Sequence, residues 1–201
     1  MNAVELSVRD VRERLAAHAA RRMDIEGFRR AAVLVPLLER PDGLQMLLTV
    51  RSPELRSHGG QIAFPGGRLE AGEDDVEAAL RETLEEVGVV VRPEQVVGRL
   101  SDHPSPAGYV ATPVVAVLPW VTEFTPDPSE VAEAFTVPLA DLALIEPTSR
   151  IGELQKYRRR IYSYRWRDRD IWGFTGNVVR DLLMALYEPD VADGAKDPYE
   201  P

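Results

Sequence analysis

Glu82, Glu85 and Glu86 stand at i, i+3 and i+4 of the run from Asp74 to Val87. On a helix that spacing turns three carboxylates toward one side. At about 5 Å and an effective dielectric near 20, each like-charged pair costs roughly 3 kcal/mol. Water relieves such repulsion on an open face; beside a core a cation must. Oxygen-only donors, without histidine or cysteine, favour Mg2+ or Mn2+. A glutamate-rich helix is more often a solvated acidic face, but here Phe64-Pro65-Gly66-Gly67 immediately precedes it. Glycines let a backbone approach a metal or phosphate closely and present a carbonyl. A second set of residues, Arg51, Arg56, His58 and Arg68, clusters around that loop. Arginine forks suit phosphate oxygens, so together the two sets suggest a metal-bound polyanion.

Composition narrows the classes. The 201 residues carry 24 Lys+Arg against 33 Asp+Glu, a formal net charge of -9. Such a surface repels nucleic acid and anionic membranes. No cysteine is present, which excludes disulfides, thiolate metal sites and cysteine nucleophiles. The three histidines, His18, His58 and His103, have no zinc-ligand spacing. The N-terminus lacks the pattern of a secretory signal and no apolar run is long enough to span a bilayer, so a cytoplasmic location is expected.

The acidic helix has clear local signals. Asp74 and Glu77 stand in capping-box relation and Gly88 provides the stop. Val76, Ala79, Leu80, Thr83, Leu84 and Val87 form a stripe that should be buried, with Glu86 at its edge. The remaining elements are read more coarsely. Residues 4–22 read as an amphipathic helix. Residues 31–38 and 44–51 read as a hairpin around Pro41-Asp42-Gly43, and 61–64 as a short strand. Strands are expected over 95–101 and 114–121 with a proline-rich loop between them. A turn or short helix is expected over 129–135, a strand over 160–166 and a helix over 175–187. Interleaved strands and helices give an α/β or α+β class with a mixed sheet.

Gly67, Glu73, Arg81, Glu82, Glu85, Glu86 and Gly88 resemble the Nudix box, with Val89 in its last aliphatic position. Thr83 is the one departure, standing where the family has Leu, Ile or Val; its hydroxyl is expected to bond back to a helix carbonyl. The resemblance implies a Nudix αβα sandwich over residues 25–187, with a packed N-terminal helix in 1–24 and a polar tail in 188–201. It also implies divalent-metal-dependent hydrolysis of a nucleoside diphosphate derivative. It implies Glu82 and Glu86 as Mg2+ or Mn2+ ligands, Glu85 as a third ligand or a water contact, and the Gly67 carbonyl as a further donor. Glu73 and Arg81 would brace loop against helix. The base that takes the proton of the attacking water stays open between Glu85 and Glu86. Glu130 and Glu133 are considered too, although surface charge is the preferred reading of both.

The upstream block Leu47-Leu48-Thr49, Arg51-Ser52, Arg56, Gly60 and Phe64-Pro65-Gly66-Gly67 resembles the signature of the coenzyme A diphosphatase subgroup. Weaker similarity extends to Ser129-Glu130-Val131 and Ile171-Trp172-Gly173. The resemblance implies a coenzyme A-type nucleotide as substrate, with Arg51, Arg56, His58 and Arg68 toward its phosphates and Tyr109 toward its base. A plain loop hydrogen bond is an equal reading of His58. Other Nudix substrates, such as ADP-ribose or a dinucleotide, are the first alternative. A nucleotide-binding module without hydrolysis is the second, although every carboxylate of the box is kept. Oligomeric state is not legible.

Overall fold

The computed structural model describes residues 5–55, 58–120, 123–154 and 157–188. Arg56 and the chain beyond Glu188 therefore lie outside the described residues, and with them one expected phosphate contact and the polar tail.

The centre of the molecule is β1 (Arg29–Arg40), whose run Ala31–Leu38 is apolar apart from Pro36 and buried on both faces. It pairs in parallel with β7 (Tyr109–Pro119) over eleven residue pairs, from Arg29↔Tyr109 to Glu39↔Pro119. Its other edge is shared. β4 (Gly66–Arg68) pairs antiparallel with Ala31–Val33, and β2 (Gly43–Arg51) with Leu37–Arg40. Pro36, which has no N–H to give, falls in the gap between these two partners. A proline in a central strand is thereby accommodated.

β3 (Ile62–Ala63) and β8 (Val131–Pro138) pair with β2. β5 (Val96–Arg99) and β6 (His103–Ser105) pair with β7. A second sheet of three antiparallel strands comprises β9 (Thr148–Leu154), β10 (Tyr157–Trp166) and β11 (Arg169–Trp172).

Alternation along β1 divides the core. Ala32, Leu34 and Leu38 face α2 (Asp75–Val87) with Ala78, Ala79 and Val87. Val33, Val35 and Leu37 face α1 (Val8–Ala17) and α4 (Gly173–Tyr187) through Val11, Leu15, Val178 and Leu182. Helices thus cover both faces of a mixed sheet, in the expected class.

Four local expectations change. The N-terminal helix is shorter than residues 4–22, because a Ser7–Asp10 capping box fixes its start and the chain turns extended at His18. The proline-rich loop 102–113 is largely β6 and the first half of β7, turning at Gly108. Residues 129–135 enter β8 rather than a helix, since the free edge of β2 offers a ladder from Gln45 to Arg51. α2 is also rotated from its expected orientation. Leu84 is 49% exposed while Glu86 is only 3% exposed, so the glutamate itself belongs to the buried stripe.

Candidate metal and substrate site

α2 is held at both ends by its own sequence. The Asp74 side chain accepts from Val76 N and Glu77 N, and Glu77 returns the bond to Asp74 N. Gly88 ends the helix in the left-handed region at φ 71°, with its N–H donating to Leu84 O. Thr83 lies inside, its hydroxyl donating to Ala79 O at 2.7 Å. The departure from the box therefore leaves no unpaired group.

The helix lies against the glycine elbow, which is itself β4. Gly66 N–H donates to Glu86 Oε2 at 3.1 Å. A Cβ at Gly67 would collide with the Glu82 carboxylate, so only glycine lets these two groups meet. Arg81 gathers the acidic residues around it. It donates to both carboxylate oxygens of Glu73 (2.7 and 3.0 Å), to Glu82 (2.9 Å), to Glu85 (3.0 Å) and to Arg68 O. The Glu73 carboxyl is accordingly held down at about 2, chiefly by Arg81.

Glu85 does not join Glu82 and Glu86 at the elbow. It is exposed and turned to Arg81. Among the described residues, no three acidic or histidine side chains form a closed metal-ligand group. The further acidic residue whose charge acts on both members of the pair comes instead from the segment before β8. Thr125 N donates to Val87 O and Asp127 N to Glu86 O, which wraps the chain around the end of α2. Ser52 N then donates to Glu130 O at 2.8 Å. Glu130 is thus fixed by the strand that carries Arg51, and its charge acts on both Glu82 and Glu86. Glu133 is engaged elsewhere, with Arg169 at 2.7 Å.

Burial pushes the Glu86 carboxyl up to about 8, against the opposing Gly66 N–H and Arg51, and with Glu130 and Glu82 adding to the rise. Burial also raises Glu82, although Arg81 opposes it. A buried carboxyl that resists ionisation beside two further acids is short of positive charge. The donors are oxygens throughout, so the site suits a hard divalent cation.

Behind the elbow lies a cavity of about 590 Å3, within the range of small-molecule sites. Gly66, Gly67 and Arg68 line it, as do Arg51, His58 and Tyr109. Arg51 also reaches toward Glu86 Oε1 (4.0 Å) and so stands between cavity and carboxylates. His58, at φ 61°, spends Nδ1 on Gln61 Oε1 (3.0 Å), a loop hydrogen bond. Tyr109 has the Arg29 guanidinium 4.6 Å from its ring centroid.

The opposite part of the wall comes from the second sheet and the start of α4. It includes Arg150, Arg159, Trp172 and Phe174. None was selected as a site residue from sequence. β9 is too polar to signal a strand, and only the Ile171-Trp172-Gly173 similarity pointed near this wall.

The NUDIX domain model matches residues 28–160. The chain is 39% identical over 164 residues to an uncharacterized Nudix hydrolase NudL of Photorhabdus laumondii, covering 79% of this chain and 85% of the relative. It is 38% identical over 160 residues to that of Pectobacterium atrosepticum, covering 79% and 83%. The crystal structure of a MutT/nudix family protein from Enterococcus faecalis is alike in fold, with a TM-score of 0.56 at 18% identity over 94% of this chain and 70% of that one. The matched region carries β1, the glycine elbow and the whole of α2, and on these grounds the chain belongs to the Nudix hydrolase family, enzymes that hydrolyse phosphorus-containing acid anhydrides.

Proposed function

We propose that this enzyme hydrolyses the diphosphate of coenzyme A, or of a coenzyme A derivative, to 3′,5′-ADP and 4′-phosphopantetheine. The observation that carries the reading is the position of Arg51. It belongs to the upstream signature block, lines the cavity and lies 4.0 Å from the buried Glu86. The same block continues through β3 into the glycine elbow. One stretch of chain therefore joins the substrate chamber to the carboxylates.

Glu82 and Glu86 would hold Mg2+ or Mn2+, with the Gly67 carbonyl and Glu85 or Glu130 available to complete the set. When bound, the ion neutralises the diphosphate and acidifies a water. Arg51 and Arg68 would take non-bridging phosphate oxygens, Arg51 as a planar fork. Phe64, Ile62 and Phe174 give the chamber an apolar side. Water adds its oxygen to one phosphorus and the bridging oxygen leaves on the other. A carboxylate would accept the proton; Glu85 and Glu86 are the candidates on the helix and Glu130 the one from the later segment. Arg81 and Glu73 position the helix and do not touch substrate. We place the catalytic unit at residues 25–187, acting in the cytoplasm. Among the described residues, no helix is long and apolar enough to cross a membrane.

Turnover of coenzyme A, ADP-ribose and a dinucleoside polyphosphate with Mg2+ or Mn2+ tests the assignment. Coenzyme A should give the highest kcat/KM; equal or better turnover of ADP-ribose overturns it.

A further inference from the structure

Arg159 is the most deeply buried charge of the cavity wall, 5% exposed. Its Nη1 donates to Pro104 O at 2.8 Å, while Nε reaches no partner. Among the described residues no carboxylate pairs with it. The backbone opposite is Gly152, whose Cβ would strike the Ile161 side chain, so the position facing the guanidinium carries no side chain at all. Ile161 and Phe174 line the same wall, as do the charged Arg150 and Glu153, and among the described residues Glu153 makes no ion pair with Arg159.

A guanidinium stays charged at any ordinary pH, and burying it without a counter-charge is costly. One carbonyl does not supply that charge. Low polarity around it strengthens its attraction for an anion entering the cavity. On the proposed reading the diphosphate lies beside the carboxylates of α2 and the elbow, where Arg51 and Arg68 would serve it, whereas Arg159 is anchored at Pro104 O of β6 and leaves its charge to a different group of the ligand.

We propose that Arg159 receives a second anionic group of the same substrate, a phosphate monoester. On the coenzyme A reading, on which this inference rests, that group is the 3′-phosphate. Arg159 is then a specificity-determining residue that separates nucleotides with a ribose 3′-phosphate from those without one.

Binding of 3′,5′-ADP and of 5′-AMP, measured by calorimetry on the wild type, Arg159→Met and Arg159→Lys, tests this directly. The wild type should bind 3′,5′-ADP about 10- to 100-fold tighter than 5′-AMP, the span of one or two charge-assisted hydrogen bonds. Arg159→Met should bring both to the 5′-AMP affinity, and Arg159→Lys should restore part of the difference. No preference in the wild type, or an undiminished one in Arg159→Met, overturns the proposal. Circular dichroism melts establish that each variant is folded. Should Arg159→Met not fold, Arg159→Lys decides: a severalfold weaker preference supports the role and an unchanged one removes it.

Kinetics with coenzyme A and dephospho-coenzyme A separate the two readings. If coenzyme A is hydrolysed but Arg159 does not govern the preference, this inference alone falls. If the binding preference depends on Arg159 while coenzyme A is not hydrolysed, the substrate assignment falls and the phosphate site stands.

Discussion

On the proposed reading, Glu86 concentrates the chemistry of the molecule in one side chain. In the metal-free folded protein it holds its proton to about 8, against an ordinary value of 4.5. The unfolded chain therefore binds fewer protons between those limits, and the folded state is penalised as pH rises through them. EDTA-treated wild type should lose thermal stability from about pH 4.5 to about pH 8, by an amount on the order of a few kcal/mol. Glu86→Gln should flatten that slope and lower kcat/KM by at least about 100-fold, since charge stabilisation worth several kcal/mol goes with the ligand. A melting curve with the same slope in both proteins would remove the burial argument. Arg81 acts one step further out. Arg81→Lys cannot keep its bonds to Glu73, Glu82, Glu85 and Arg68 O together, and should weaken Mn2+ binding about 10- to 100-fold. Electron paramagnetic resonance titration of Mn2+ reads that change without reference to turnover.

Among the elements, β4 and α2 depend on each other. Gly67→Ala forces a methyl into the Glu82 carboxylate. It should reduce metal affinity and activity far more than it changes the melting temperature, because Glu82 can swing aside. Gly66→Ala, at φ 152° and against the backbone of Ala32 and Val33, should instead prevent stable folding. Comparing soluble yield and melts of the two variants distinguishes the cases. Helix α2 was legible in the sequence because its signals are local: Asp74, Glu77, Gly88 and the glutamate spacing all act within a few residues. The Thr83 back-bond was legible for the same reason, whereas the Glu73–Arg81 brace was legible only through the resemblance to the Nudix box. The rotation that buries Glu86 and exposes Leu84 was not, since it is set by the sheet beneath. Nor was β8. Its Ala- and Glu-rich start has helical propensity, but pairing with β2 across a long sequence separation overrides it. The cavity wall contributed by β9 and β10 has no motif at all; Arg159 acquires meaning only once Gly152 lies opposite.

Across the whole molecule, a charged knot ties the N-terminal segment to the catalytic helix. Asp102, fully enclosed, accepts from Met23 N, Arg30 and Thr112, and its own N–H donates to Arg21 O. Arg22 and Arg30 reach on to Asp75 in the first turn of α2. Burial alone would raise the Asp102 carboxyl, but Arg30 and the other donors hold it below the ordinary range. Asp102→Ala takes the shared acceptor from Arg30, Thr112 and Met23 N while Asp75 still faces Arg22 and Arg30, and should destabilise the protein by about 1–3 kcal/mol. Denaturant unfolding measures that loss. Activity of the folded fraction at low temperature should fall much less than in Glu86→Gln, because no carboxylate at the elbow is touched.

The parallel seam between β1 and β7 joins segments about 80 residues apart in the chain. A ribosome synthesises the elbow and all of α2 before Tyr109–Pro119, so the acidic helix leaves the tunnel before the strand that completes the sheet beneath it. Nascent chains arrested before Tyr109 should therefore capture no manganese, and the capacity should arise abruptly once Pro119 has cleared the exit tunnel: the enzyme's competence is timed by the arrival of a strand that carries none of its carboxylates.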